Sequence, residues 1–505
     1  MTEKRILFVD IESYSSTNLI KCGMYAYAEA PDFELILIGY AFDDGPVTVV
    51  DLAGGEPFPD ELRAALRDPE TLKVAFNSNF ERVTIGAYLG EYQPPEHWSC
   101  VSVMSRQLGL PGSLKDVCAV IGMDDDKAKM KSGAALIRYF CVPCKETLKN
   151  GGRVRNLPHH DPERWGLFKE YCARDVESER EIHKRLSKFP VIPSERALWI
   201  LDQCVNDRGV RVGLTLARNA AAMDATVKGR LLEEAKELTG LENPRSNAQL
   251  KRWIEDVSGV AVDSLNKSKL AEVKEAAGHE SVDEMLELRG GLAKSSTEKF
   301  NAMLRTVCKD GRVRGILQFQ GAQRTGRWAG RNVQFHNLYR ISMSEADLDV
   351  ARGLVSRNDF ETLEMLYGDV SETLAQLVRT AVIPAEGKKL VVADFSSIEA
   401  RVLAWLANEE WKLEVFRGDG RIYETVAERM FGRPPGSIKK NDPLRQKGKA
   451  AELSCGYQGG APALKDQSAL ESGLSDEELR TLVDQWRAAN PKIVKFWRDL
   501  NTAAK

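Results

Sequence analysis

Long apolar runs are missing from this 505-residue chain. None approaches the roughly 20 residues of a membrane-crossing helix, which excludes a membrane-spanning class. The start, "MTEKRILFVD", passes from charged residues straight into a strand-like run and lacks the apolar core of a signal peptide, so a cytoplasmic setting is expected. An excess of one charge is missing too. Lys and Arg number 71 against 74 Asp and Glu, a net charge of −3. That balance excludes a generally basic nucleic-acid coat and leaves room for a local basic groove. The nine cysteines are odd in number and scattered, which excludes a disulfide-stapled scaffold. One C-x-x-C occurs, Cys141 to Cys144 in "FCVPCK". With no second pair and no nearby His it reads as ordinary core thiols rather than a zinc site. Internal repeats and low-complexity tracts are absent, which excludes a solenoid.

What is present is a chain long enough for two to four domains, with the 43% hydrophobic and 29% charged content of soluble globular proteins. "RILFVDIE" (5–12), "ELILIGYAF" (34–42) and "LKVAF" (72–76) read as strands alternating with helical stretches, as in an α/β domain. "DPERWGLFKEYCARDVESEREIHKRL" (161–186) reads as a long helix, with Asp161 as N-cap and Pro162 at the first helical position. The two prolines of "KFPVIPSE" (188–195) mark a boundary. Charged amphipathic helices such as "ATVKGRLLEEAKEL" (225–238) follow. Strand signals return around 313–319 and 389–395, and after about residue 410 the pattern is helical.

The first set of chemistry-bearing residues is acidic. In "FVDIES", Asp10 and Glu12 fall two apart on a strand, so both side chains point to one face and repel unless a cation lies between them. By itself D-x-E also suits two solvated strand acids. "VAFNSNFERVTI" (74–85) adds Asn77 and Glu81 just past a strand. "YCARDVESER" (171–180) adds Tyr171 and Asp175, spaced i, i+4 on one helical face. A solvated Glu81, or a core tyrosine above a surface acid, would fit the same letters.

In order, these segments resemble the DEDD exonucleases of the ribonuclease H-like fold, in the subclass with a tyrosine in the last motif. The likeness covers most of 1–190 and includes "GSLKDVCAVIG" (112–122). It implies that Asp10, Glu12, Glu81 and Asp175 hold two divalent metals, Mg2+ or Mn2+, that activate a water and stabilise the leaving 3′ oxygen, with Tyr171 orienting the water. Glu81 departs from the usual Asp, and its extra methylene bears on rate more than on identity.

A second set lies in "LVVADFSSIEARVLAWLA" (390–407) and "KKNDPLRQKGKAAELSCGYQGG" (439–460). "LVVAD" reads as a strand ending at Asp394. Ser396 and Glu399 have the spacing of an S-x-x-E capping box. Arg445, Lys449 and Leu453 repeat at i, i+4, followed by Tyr457. Such a helix presents two cations to a triphosphate and an aromatic surface to a base, although a basic run also suits a solvated face.

From here the chain resembles family A DNA polymerases, the DNA polymerase I family, most closely its phage-type members. The likeness implies an α/β and α+β multidomain fold. Its parts would be a ribonuclease H-like exonuclease domain (1–190), a mostly helical thumb and start of the palm (191–320), a partial palm (321–415) and incomplete fingers (416–505). "DFSSIEAR" makes Asp394 a catalytic metal ligand, Glu399 a gate against a 2′-hydroxyl, and Arg401 a brace. "RQKGKAAELSCGY" makes Arg445 and Lys449 the grip on the incoming dNTP, with Lys449 a general acid for pyrophosphate and Tyr457 beside the templating base. Leu453 stands where a ring is common, which bears on sugar discrimination. "QRTGRWAGRNVQFHNL" (323–338) makes Arg327, Gln334 and Asn337 contacts to primer–template DNA. "DGRIYETVAERMFG" (419–432) resembles the fingers segment before the nucleotide helix, and "SSTEKFNAML" (295–304) lies in the thumb-like region. The setting implied is a bacterial or infected-host cytoplasm.

The family's second palm carboxylate sits in a His-Asp motif, and no histidine follows His336. The acids after Tyr457 (Asp466, Glu471, Asp476, Glu477, Glu478, Asp484 and Asp499) fall in loop or helix patterns. The expectation is a polymerase with 3′–5′ proofreading that stops before its last palm motif, with two further metals only in a completed polymerase site. The alternatives are an exonuclease, or a primer–template-binding subunit, that needs a second polypeptide to polymerise.

Overall fold

The computed structural model describes residues 5–123, 133–266, 269–322, 324–465 and 475–505. Gln323, Asp466 and Glu471 lie outside them. The chain forms two compact units, Met1–Leu390 and Val391–Lys505.

The first unit is built on a five-stranded sheet, β1 (Ile6–Tyr14), β2 (Glu34–Phe42), β3 (Thr48–Val50), β4 (Leu72–Ala75) and β5 (Trp98–Cys100), in the order β3-β2-β1-β4-β5. β1 pairs antiparallel with β2 and parallel with β4, so it is central and its apolar residues are buried on both faces. Leu7, Val9 and Ile11 pack with Ile38, Ile85 and Trp199 on one side. Phe8 packs on the other against Val176 and Ile182 of the helix Pro162–Leu186. That helix starts as expected: the Asp161 side chain accepts from Arg164 N at 3.0 Å, with Pro162 behind it. It approaches β2 closely because Gly39 has no side chain there; a Cβ would lie 3.0 Å from both Cys172 Sγ and Val176 Cγ2.

Beyond residue 190, the helices Pro193–Arg208 and Leu214–Thr239 lead into a helical region whose core joins Leu216, Ala220, Met223, Phe300, Met303, Leu354, Leu374 and Leu377. The strands described there are two-residue pairings, Val210–Arg211 with Arg312–Val313 and Leu317–Gln318 with Ala329–Gly330.

The second unit is all helix among the described residues. Its core gathers Ile422, Val426, Ala451, Cys455, Leu482, Trp486 and Ile493. Within it Lys412 donates to Glu452 at 2.7 and 2.8 Å, and Trp486 Nε1 donates to the same carboxylate at 2.8 Å. Asp476, Glu477, Glu478 and Asp484 ride the helix Asp476–Ala489, and Asp499 the helix Pro491–Ala503.

Two local expectations are corrected here. Residues 390–394 are not a strand: no ladder partner is present among the described residues, and Val391 and Val392 are 81% and 92% exposed. The capping box also fails. The helix Ile398–Ala407 is preceded by Ser397 in a left-handed conformation (φ 51°), with no side-chain cap. That backbone turn displaces Ser396 from the capping position.

Candidate active sites and nucleic-acid interface

The sheet order is what assembles the acids. Asp10 and Glu12 leave β1 on the face covered by the helix Pro162–Leu186. Neighbouring β4 delivers the helix Ser78–Leu89, and with it Glu81 in its first turn. Asp175 and Tyr171 reach the same face from the long helix. Glu12, Glu81, Tyr171 and Asp175 are buried, and Asp10 is half-buried.

The electrostatics record this proximity. Burial pushes the Glu81 carboxyl well above the usual range, and the Asp10 charge raises it further. Glu81 Oε2 is buried with no hydrogen-bond partner among the described residues. The Tyr171 hydroxyl is also pushed up, by burial and then by Asp175, Glu12 and Asp10. Its ring stacks at 6.0 Å on Phe168, and Gly133 lies so close that a Cβ there would overlap the ring. Cys141, half of the C-x-x-C, donates its thiol to Glu12 Oε2 at 3.6 Å, and burial followed by that carboxylate pushes the thiol up. Cys144 instead donates to Arg153 O at 3.3 Å.

Buried carboxylates with an orphaned oxygen are the donor chemistry of a hard divalent cation. Among the described residues, however, no three His, Cys, Asp or Glu side chains converge closely enough to form a ready ligand set. The donors therefore fit a cation in kind and burial, and would have to close by side-chain rotation. Glu179, one turn beyond Asp175, joins the cluster and was missed in the sequence. "VESERE" looks like a solvated charged face, yet Tyr171, Asp175 and Glu179 share one stripe at i, i+4, i+8, which is the signal that marks it.

A second site in the same unit is a groove of about 670 Å³ that brings two distant segments together. Gln334 and Asn337 line it from one side, and Ser295, Ser296 and Lys299 of "SSTEKFNAML" from the other, with Arg305 and Arg340 at its edge. Gln334 and Asn337 are exposed, and Gln334 holds a left-handed backbone (φ 54°) that turns the chain. Arg327 is exposed on the adjoining loop, while Asn337 reaches the groove from the short helix Phe335–Asn337. Trp328 ties that loop down by donating to the buried Asp202 at 2.8 Å.

In the second unit Asp394 and Glu399 are exposed. Arg401 steadies the segment between them: its Nε donates to Ser396 O at 2.8 Å and its guanidinium lies 4.5 Å above the Phe416 ring. Arg445, Lys449 and Leu453 follow one stripe of the helix Pro443–Cys455, and Tyr457 is exposed beyond its end. Arg445 is already engaged, donating to Glu424 at 2.7 Å, and both cations lie within 6 Å of the Tyr423 ring, at 5.6 and 5.9 Å. Leu453 is exposed, so the stripe runs from the ion-paired Arg445 through the half-buried Lys449 to an aliphatic side chain in solvent.

Residues 216–505 match the family model for DNA polymerase family A. The chain belongs to that family. It is 52% identical over 500 residues to the DNA polymerase of Bacillus phage SP02, covering 99% of this chain and 76% of that one, which makes it a phage-type member. It is 26% identical over 340 residues to DNA polymerase I of Pseudomonas aeruginosa, covering 65% of this chain and 34% of that one. The POL domain of Pol1 from M. smegmatis, solved in complex with DNA primer-template and dNTP, shares the fold with a TM-score of 0.58 at 17% identity, over 99% of this chain and 75% of that one. Family A polymerases are nucleotidyltransferases that use divalent metal ions. None of the described helices is long and apolar enough to cross a membrane.

Proposed function

We propose that this family A polymerase carries a 3′–5′ proofreading exonuclease in its first 190 or so residues, in a domain of ribonuclease H-like type. The observation that carries the reading is the placement of Asp10, Glu12, Glu81, Tyr171 and Asp175 on one face of a mixed sheet, all but Asp10 buried. Two Mg2+ or Mn2+ ions would be held by the four acids and would supply a metal-activated water. The chain's own part is to hold the acids apart from solvent, orient the tyrosine hydroxyl toward Asp175, and keep bulk water out. A 3′-terminal strand labelled at its 5′ end should shorten in Mg2+, and Asp10→Ala should abolish the shortening. Undiminished shortening in Asp10→Ala overturns the assignment.

The polymerase half follows the same logic. The Lys299, Arg305 and Arg340 groove is the seat for primer–template phosphates, with Gln334, Asn337 and Arg327 beside it. Arg445 and Lys449 are the cations for a dNTP, Lys449 the general acid for pyrophosphate, Tyr457 the neighbour of the templating base, and Leu453 and Glu399 the side chains nearest its sugar. Asp394, braced by Arg401, is one metal ligand of the polymerase centre. One observation favours a second reading, in which these 505 residues need a further polypeptide to polymerise. Asp394 stands on an exposed segment that no strand pairs with among the described residues, whereas a two-metal centre needs carboxylates holding cations about 3.5–4 Å apart. Primer extension with Mg2+ and four dNTPs should be weak with this chain alone, and robust extension overturns the second reading.

A further inference from the structure

Glu179 is 1% exposed, which rules out a solvated helix acid. Its Oε2 accepts from the backbone N–H of Phe76 at 2.7 Å. Phe76 directly follows β4 and leads into Asn77 and the helix that bears Glu81. Glu179 Oε1 is buried and has no hydrogen-bond partner among the described residues. No Lys or Arg pairs with it among the described residues. Glu179 continues the stripe of Tyr171 and Asp175 at i, i+4, i+8 on the helix Pro162–Leu186. Glu179 Oε1 and Glu81 Oε2 are thus both buried without a donor among the described residues. Leaving such atoms unsatisfied among like charges is costly, and a divalent cation satisfies them together.

We propose that Glu179 is a fifth acid of the cation site, a positioning residue that works through both oxygens. One oxygen ties the helix carrying Tyr171 and Asp175 to the turn carrying Glu81. The other faces the cation, directly or through its bound water. The inference rests on the exonuclease reading above, and gives a role to a residue that the sequence reading left without one.

The test uses the full chain in an Asp394→Asn background, so that the second unit offers no competing carboxylate from that motif. Free Mn2+ is titrated and followed by its electron paramagnetic resonance signal, and melting is recorded without metal. Glu179→Gln keeps an acceptor for Phe76 N–H and adds a donor for the facing acids. Its metal-free melting temperature should equal or exceed the parent's, while its Mn2+ affinity falls roughly tenfold or more, as for other groups that orient a metal's ligands. A purely structural strut, which Glu179→Gln preserves through its acceptor for Phe76 N–H, predicts unchanged Mn2+ binding. Unchanged binding in Glu179→Gln alongside weakened binding in Asp175→Asn overturns the role of Glu179 and leaves the exonuclease reading standing. Unchanged binding in both overturns the cation site itself. Should Glu179→Gln not fold, Glu179→Asp keeps the charge but withdraws the carboxylate by one methylene, and unchanged Mn2+ binding in that variant overturns the proposal.

Discussion

Asp202 shows how one buried side chain joins stability to the exposed loop that carries Arg327 and Trp328. It is 2% exposed and accepts from Trp328 Nε1, Gln203 Nε2 and Asn206 Nδ2. Burial outweighs those three donors and pushes its carboxyl up to about 6. The folded chain therefore holds this proton more tightly than the unfolded chain, where a carboxyl titrates near 4. The sign follows: the contribution to stability is fully present below about pH 4 and is lost as pH rises through about 6. By pH 8 the loss amounts to about 2–3 kcal/mol. Asp202→Asn should therefore gain melting temperature relative to the parent between pH 4 and pH 8, by an amount that differential scanning fluorimetry resolves. An equal gap at both pH values would mean that the Trp328, Gln203 and Asn206 donors already cancel the cost of burial.

At the scale of elements, the exonuclease-like site depends on how near the helix Pro162–Leu186 comes to β2. Gly39 pairs across the sheet with Asp10, and its missing side chain is the space that Cys172 and Val176 occupy. Gly39→Ala puts a Cβ 3.0 Å from both and must push the helix outward. Overpacking of this kind costs about 1–3 kcal/mol. Asp175 and Tyr171 move with the helix while Asp10 does not, so exonuclease turnover should fall about tenfold or more. Primer–template affinity, measured by fluorescence anisotropy, should stay within error because its groove lies on other segments. The same elements show why some of this was legible in the sequence. Asp10 with Glu12, and Tyr171 with Asp175, are pairs whose geometry follows from a two-residue or a four-residue period, and the long helix announces itself through Asp161 and Pro162. Glu179 was not legible because burial of an acid is decided by what packs over it, and the letters around it are all charged. The strand at 390–394 was misread for a related reason. An apolar run becomes a strand only when another strand pairs with it, and pairing is a property of distant residues. The convergence of "SSTEKFNAML" with Gln334 and Asn337 was invisible for the same cause.

For the molecule as a whole, the net charge of −3 gives no attraction for a polyanion, so affinity for DNA must come from local cations. The groove lined by Lys299, Arg305 and Arg340 concentrates them, and its acid, Glu298, is neutralised by Arg305 at 2.8 Å. Lys299 is partly fixed by donating to Val333 O at 2.8 Å. Cations that meet phosphates weaken binding to all sequences alike when removed, and each removed contact lowers the slope of log K against log salt by about 0.9 for duplex DNA. Lys299→Ala with Arg340→Ala should therefore weaken primer–template binding at every sequence tested and reduce that slope by nearly 2. Replacing the exposed pair Lys495 and Asp499, in the other unit, should leave the slope unchanged. A double variant that binds more weakly with an unaltered slope would move the phosphate contacts elsewhere. Gln334 and Asn337 would then lose the duplex contact proposed for them.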